Sequence, residues 1–168
     1  MIPSTKELLE LASDIRMMPI FSEKVLEDYA HDTENGNKNF ALARQYENVG
    51  QIASAIGLYL RCAELTNDNN LAYESLLRMG LCYIELGNTD SNSKDYEQKT
   101  GRDAHVEIAY QNAISLLPDR PEAYQLMSMF FELKQDWHQV YTWARMGLTK
   151  TNFDSVPLQT NLNYFGKQ

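Results

Sequence analysis

The residues that could ligate a metal ion or supply a nucleophile are His31, His105, His138, Cys62 and Cys82. None of the histidines has a second His or Cys at a spacing that would place two ligands on one helix face. The two cysteines form no CxxC pair and lie inside apolar helical runs, a pattern typical of reduced core thiols. The sequence therefore predicts no metal site, and it predicts no cofactor.

Other catalytic signatures give no support for an enzyme. The chain contains no GxSxG, P-loop or GxGxxG sequence. Close carboxylates such as Asp32 and Glu34 lie in polar segments, without the apolar surroundings that would tune one of them as an acid. We expect no catalytic residue in these 168 residues.

Composition limits the classes of partner. With 168 residues and 43% apolar content, the chain 1–168 is expected to form one domain. The net charge of -8 argues against nucleic acid and anionic membranes as partners. Residues 1–35 carry eight acids and three bases, which form either a solvated face or a docking site for a basic partner. No export signal or long apolar run is visible, so a cytoplasmic location is expected.

The hydrophobic pattern is helical almost throughout, which predicts an all-α fold. Ser4 and Glu7 form a capping box for a first helix that ends before Pro19. Ser22 is the expected cap of a second short helix, so residues 1–35 are predicted to be a helical pair. The polar run from His31 to Lys38 then reads as a loop.

From Asn39 onward the pattern repeats three times. Each unit starts with a helix that has a large residue, a small one and then an aromatic, followed by a turn at Gly50, Gly87 or Gln135. A second helix follows with a buried face at four- and three-residue spacing, and the middle one closes on Pro118. The first-helix residues are Leu42, Ala43 and Tyr46; Met79, Gly80 and Tyr83; and Met127, Ser128 and Phe131, and the second-helix residues are Ala55, Tyr59 and Cys62; Val106, Tyr110 and Ala113; and Val140, Ala144 and Gly147.

These helix pairs resemble the tetratricopeptide repeat over residues 39–149. The resemblance implies a right-handed helical-repeat solenoid of about three units, with the N-terminal helical pair before it and a capping segment after it. Asn39, Asn67 and Gly147 depart from the residues usual in the family at those places. The expected boundaries are 39–69 for repeat 1, 71–118 for repeat 2, 119–149 for repeat 3 and 150–168 for the linker and cap.

The second repeat contains a polar insertion. Residues 88–102 are predicted to form a mobile loop, with the next helix starting near Asp103. The loop is either a tolerated insertion or part of a binding side.

In tetratricopeptide repeats the first helices line a concave groove for partners, and the resemblance places ten residues of this chain there. The middle of this set is apolar, which favours an amphipathic helix or a hydrophobic peptide as ligand, unless the chain's own end fills the groove. Capture of a peptide carboxylate by several Lys and Asn side chains is not expected, and the oligomeric state is left open. The predicted groove residues are Arg44, Glu47, Asn48, Leu77, Leu81, Ile84, Gln125, Met129, Glu132 and Leu133.

A second resemblance concerns "FFELKQDWHQVYTWARMGL" (130–148) and the Tyr164-Phe165-Gly166 tail. This segment is similar to the repeat part of proteins in which tetratricopeptide repeats accompany a glycosyltransferase domain. It implies the alternative that the chain is an N-terminal accessory module of a larger glycosyltransferase.

Overall fold

The structure is a computed structural model, and it describes residues 22–89 and 96–151. This part of the chain is all-α, as predicted, and contains no strand. Its helices are α1 (Glu23–His31), α2 (Gly36–Asn48), α3 (Ile52–Leu65), α4 (Asn69–Thr89), α5 (Tyr96–Leu116), α6 (Glu122–Leu133) and α7 (Trp137–Thr151).

The helices pack in chain order. Each described helix contacts the next one in the chain. The three predicted helix pairs correspond to α2–α3, α4–α5 and α6–α7. The first helices of successive pairs also meet, α2 with α4 and α4 with α6. Contacts therefore connect successive pairs as well as the two helices of each pair.

The second helices bury the face that the sequence predicts. Tyr59, Cys62, Tyr110 and Val140 are at most 1% exposed. Two apolar clusters result, one among α2, α3, α4 and α5 and the other centred on α5, α6 and α7. A fully buried side chain of this size contributes about 1.5–3 kcal/mol, so these faces hold the pairs together.

The small residue of each first helix lies where two helices approach closely. Ala43 and Ser128 are fully buried, and the Ser128 hydroxyl donates a hydrogen bond to the Val140 carbonyl at 3.2 Å. At Gly80 a Cβ atom would overlap the ring of Tyr110. At Gly80 and Ser128 the small residue of the first helix thus lies at a close contact with the second helix, as the large-then-small pattern predicts.

Two of the three predicted turns are confirmed. Gly50 and Gln135 adopt the left-handed backbone conformation, with φ of 76° and 59°. After each of them the next amide donates back across the helix end, Gln51 to the Tyr46 carbonyl at 2.8 Å and Asp136 to that of Phe131 at 3.0 Å. This six-to-one hydrogen bond is the usual way to end a helix at a residue with positive φ.

The third predicted turn, at Gly87, is wrong. Gly87 lies inside α4, which continues to Thr89, and α5 already begins at Tyr96 instead of near Asp103. The predicted loop 88–102 is therefore helical at both ends. Polar composition does not by itself exclude a helix, because the glutamate, glutamine and lysine near the start of α5 are good helix formers.

Buried Asn39, which departs from the family pattern, forms hydrogen bonds with the loop that precedes α2. Its Nδ2 donates to the carbonyls of Thr33 and Asn35 at 2.8 and 2.9 Å. The side chain of Asn35 in turn caps α2 by accepting from the Lys38 amide at 3.3 Å. These bonds fix the loop between α1 and α2, a role that an aromatic residue could not fill.

The ends of the chain are only partly described. The predicted first helix after Ser4 and the predicted cap beyond Thr151 lie outside the described residues, as do residues 90–95. The second predicted helix is confirmed as α1, although the side chain of Ser22 makes no capping bond. The Ser22 amide instead donates to Oε1 of Gln45 at 3.1 Å, which fastens the start of α1 to α2.

Candidate partner-binding groove

The structure places the predicted groove residues on the three first helices. Arg44 and Asn48 lie on α2, and Gln125 and Met129 lie on α6. Between them α4 carries a stripe at four- and three-residue spacing, which puts its members on one helix face. This stripe consists of Leu77, Leu81 and Ile84.

The α4 and α6 stripes expose apolar side chains. Leu81 is 41% exposed, Met129 46% and Leu133 66%, which are high values for large hydrophobic residues. Leu77 and Ile84 are half-buried and pack against the cluster that contains Met127 and Phe130. The two helices contact each other, and each carries exposed apolar side chains.

Two acids stand beside this apolar surface. Glu85 follows Leu81 by one turn on α4, and Glu132 lies one turn beyond Met129 on α6. Both are exposed, and neither makes an ion pair within residues 22–89 and 96–151. The nearby base Lys134 is already engaged, at 3.2 Å from Asp103 Oδ2 on α5. Arg102 on α5 also lies near Glu85 and donates to the carbonyl of Leu86 at 3.1 Å. The carboxylates of Glu85 and Glu132 are therefore exposed at this end of the predicted groove without an ion-pair partner in the described part of the chain.

The α2 end of the groove is different, because its charges are paired. Glu47 accepts a short hydrogen bond from the Tyr59 hydroxyl of α3 and pairs with Arg78 of α4, whose Nη1 lies 3.4 Å from Oε1. Arg44 is more loosely placed, with Nε 4.0 Å from Oε2 of Glu47. Burial and the bond to Glu47 together raise the pKa of Tyr59. Glu47 thus links three helices and leaves Arg44 and exposed Asn48 at the surface.

A cavity of about 300 Å³ adjoins the other end of the α4 stripe, with Leu77 in its wall. The guanidinium of Arg120 lies 4.8 Å from the ring centre of Tyr73 and donates to Glu122 Oε2 at 3.2 Å. The Tyr73 hydroxyl accepts from the Ala123 amide at 3.0 Å, and burial raises the pKa of Tyr73 to about 12. These bonds join α4 to the start of α6, and Arg120 takes part in the packing of these two helices.

Sequence reasoning did not find the partners of Glu47. The spacing along the chain indicates only the other partner of Arg78. Glu74 and Arg78 are four residues apart on α4, as in a helical ion pair, and their Oε1 and Nε atoms lie 3.0 Å apart. The bond from Tyr59 to Glu47 joins two helices, and spacing along the chain does not reveal such contacts. Glu85 was also missed, although it continues the predicted stripe by one further turn.

The residues considered first for chemistry are dispersed. His31 and His138 are exposed, and exposed His105 stacks on Tyr83 with ring centres 4.9 Å apart. Cys62 and Cys82 are buried free thiols, and burial raises the pKa of Cys82 to about 12. Across the described ranges, no group of three or more metal-ligating side chains is close enough to hold an ion. No described helix combines the length and the apolar character that crossing a membrane requires.

Comparison with known proteins adds no assignment: no family profile matches the sequence, and no curated protein is similar to it.

Proposed function

We propose that the chain is a non-catalytic scaffold of tetratricopeptide type, which binds a protein partner in the groove formed by α2, α4 and α6. The observation that carries this proposal is the exposure of Leu81, Met129 and Leu133 on two adjacent first helices. Three observations support the repeat architecture: the contacts between successive first helices, the close contact at Gly80, and the left-handed turns at Gly50 and Gln135.

Exposed apolar side chains carry weight here because they lie on two helices that contact each other. Single exposed leucines are normal on protein surfaces, but contiguous ones on a polar background are typical of docking sites. The stripe spacing on α4 and α6 matches the way in which an amphipathic helix presents its anchors. The partner is therefore expected to insert apolar side chains between these two helices.

Three further expectations stay proposals. The first is a cytoplasmic location, which rests on the composition and the reduced thiols. The second is the alternative role as an accessory module of a glycosyltransferase, which rests only on the resemblance of residues 130–148 and the tail. The third is that residues after Thr151 fill the groove, which would compete with an external partner.

A matched pair of variants tests the proposed groove. Leu81→Glu places a charge in the apolar surface, and Leu60→Glu makes the same change on α3, where the leucine is 43% exposed against 41% at Leu81. Proteins captured by the unmodified chain from its source are identified by mass spectrometry. The purified partner is then titrated against the three proteins, with circular dichroism confirming equal helix content.

We expect Leu81→Glu to weaken binding about 100-fold, because a desolvated charge at the centre of an interface costs several kcal/mol. Leu60→Glu should leave the affinity within about twofold. Equal affinities for Leu81→Glu and the unmodified chain would show that the partner binds elsewhere.

A further inference from the structure

We infer that the partner segment is a basic amphipathic helix, with Lys or Arg one turn from its apolar anchors. This inference rests on the proposed function, since it concerns the same groove. It commits to the sign of the partner's charge, which the apolar stripe alone does not determine. The evidence is that two exposed acids, Glu85 and Glu132, lie one turn from Leu81 and Met129 and form no ion pair in the described part of the chain.

The acids at this end of the groove are free to meet a cation. Glu85 and Glu132 are exposed and make no ion pair in the described part of the chain. Two bases lie near these acids and have other partners. Lys134 pairs with Asp103 and Glu107 at 3.2 and 3.8 Å, and Arg102 donates to the carbonyl of Leu86 at 3.1 Å. An incoming Lys or Arg would therefore not have to displace an existing ion pair.

The end of α6 adds to the negative potential. Glu132 lies in the last turn of α6, where the backbone carbonyls form the negative end of the helix dipole. The C-cap residue Lys134 directs its ammonium group to Asp103 on α5. A carboxylate at this position is unfavourable in the isolated chain and gains from a nearby cation. The net charge of -8 acts in the same direction by steering basic partners toward the protein.

The spacing fits a helical ligand. One helical turn, a rise of about 6 Å over four residues, separates Leu81 from Glu85 and Met129 from Leu133. A partner helix whose leucines contact Leu81 and Met129 can place a lysine three or four residues away next to Glu85 or Glu132. Flexible lysine stems cover apolar surface while the ammonium group reaches the acid at the rim.

Two synthetic peptides test the sign of the charge. The first is a helical peptide of leucine and lysine with leucines at three- and four-residue spacing, and the second has glutamate in place of every lysine. Each is titrated against the full chain by fluorescence anisotropy at low and moderate salt. We expect the lysine peptide to bind, the glutamate peptide to bind at least about tenfold more weakly, and the difference to shrink as salt screens the charges.

A matched pair of double variants locates the effect. Glu85→Gln with Glu132→Gln removes two charges in the groove, and Glu27→Gln with Glu64→Gln removes two exposed charges on α1 and α3. The groove pair should weaken the lysine peptide by about tenfold, and the control pair by less than about twofold. Leu81→Glu should abolish binding of both peptides.

The outcomes separate this inference from the proposed function. If the groove pair has no effect while Leu81→Glu abolishes binding, the basic-helix inference is overturned and the groove stands. Equal weakening by both double variants would mean that overall charge attracts the peptide, which also overturns the inference. If Leu81→Glu binds the lysine peptide as well as the unmodified chain does, both the inference and the proposed groove fail.

Discussion

The ring of Tyr110 on α5 occupies the space that a side chain at position 80 of α4 would need. Both residues are buried, and a Cβ built on Gly80 would overlap three ring atoms of Tyr110. The Tyr110 hydroxyl has no hydrogen-bond partner in the described part of the chain, so apolar packing holds the ring in place. The close approach of α4 to Tyr110 of α5 therefore depends on a residue without a side chain at position 80.

Gly80→Ala should therefore destabilise the protein. Overpacking of a buried site costs about 1–3 kcal/mol, which outweighs the better helix propensity of alanine. Gly57→Ala is the matched control, because Gly57 is also helical but a Cβ there meets nothing within 4 Å. The control should be stabilised by about 0.5–1 kcal/mol. Urea unfolding of both variants measures the difference, and a stable Gly80→Ala variant would show that the ring can move aside.

Gln135→Gly should stabilise the chain. Gln135 has a φ of 59°, a conformation that costs a residue with a side chain about 1–2 kcal/mol. Glycine removes that cost but loses more entropy on folding, so a net gain of about 0.5–1 kcal/mol is expected. Gly50→Ala makes the reverse change at the equivalent turn, with φ of 76° and open space around it, and should lower the melting temperature. An unchanged melting temperature in both variants would argue against strain at these turns.

Much of the fold could be predicted because each local signal had one dominant cause. The buried faces around Tyr59, Tyr110 and Val140 follow from helical spacing. The turn at Gln135 follows from its position in the repeat, although a residue with a side chain is unusual at positive φ. The failure at Gly87 has a physical reason. A glycine is compatible with a turn without requiring one, because within a helix it costs only about 1 kcal/mol relative to alanine. The helix α4, which packs against α5, continues past Gly87 to Thr89.

The surroundings of the predicted groove residues could be predicted only in part. Leu77, Leu81 and Ile84 follow from the spacing on one helix, and the structure confirms that they lie on α4. Which charges around them are paired depends on other helices, as with Lys134 and its partner Asp103 on α5. Such contacts join residues far apart in the chain and leave no periodic signal.

Glu47→Ala should cost about 2 kcal/mol, because it breaks hydrogen bonds from Tyr59 and Arg78 to a half-buried charged group. Tyr59→Phe should cost less, since Glu47 keeps its pairing with Arg78. A double-mutant cycle of the two changes should give a coupling of about 1–2 kcal/mol. Glu64→Ala, an exposed acid on α3, should change stability by less than about 0.5 kcal/mol. Additive effects of the first two changes would mean that the hydroxyl and the carboxylate do not cooperate.

Glu122 should make stability depend on pH in the acid range. Burial opposes its ionisation, but hydrogen bonds and charge from Arg120 outweigh this and lower its pKa below the ordinary 4.5. Because the folded pKa is the lower one, the stabilisation is complete above the unfolded pKa and is lost as pH falls through the folded value. The stability difference between the unmodified chain and Glu122→Gln should therefore be largest at neutral pH and shrink on acidification.

The same comparison in an Arg120→Gln background isolates the cause of this dependence. Without the guanidinium, the carboxyl loses the main group that lowers its pKa, so Glu122→Gln should change stability by a similar amount at every pH. Urea unfolding of the four proteins at neutral pH and at several acid values measures this. A pH dependence that survives the loss of Arg120 would assign it to the position of Glu122 at the start of α6, where the helix dipole also favours a carboxylate.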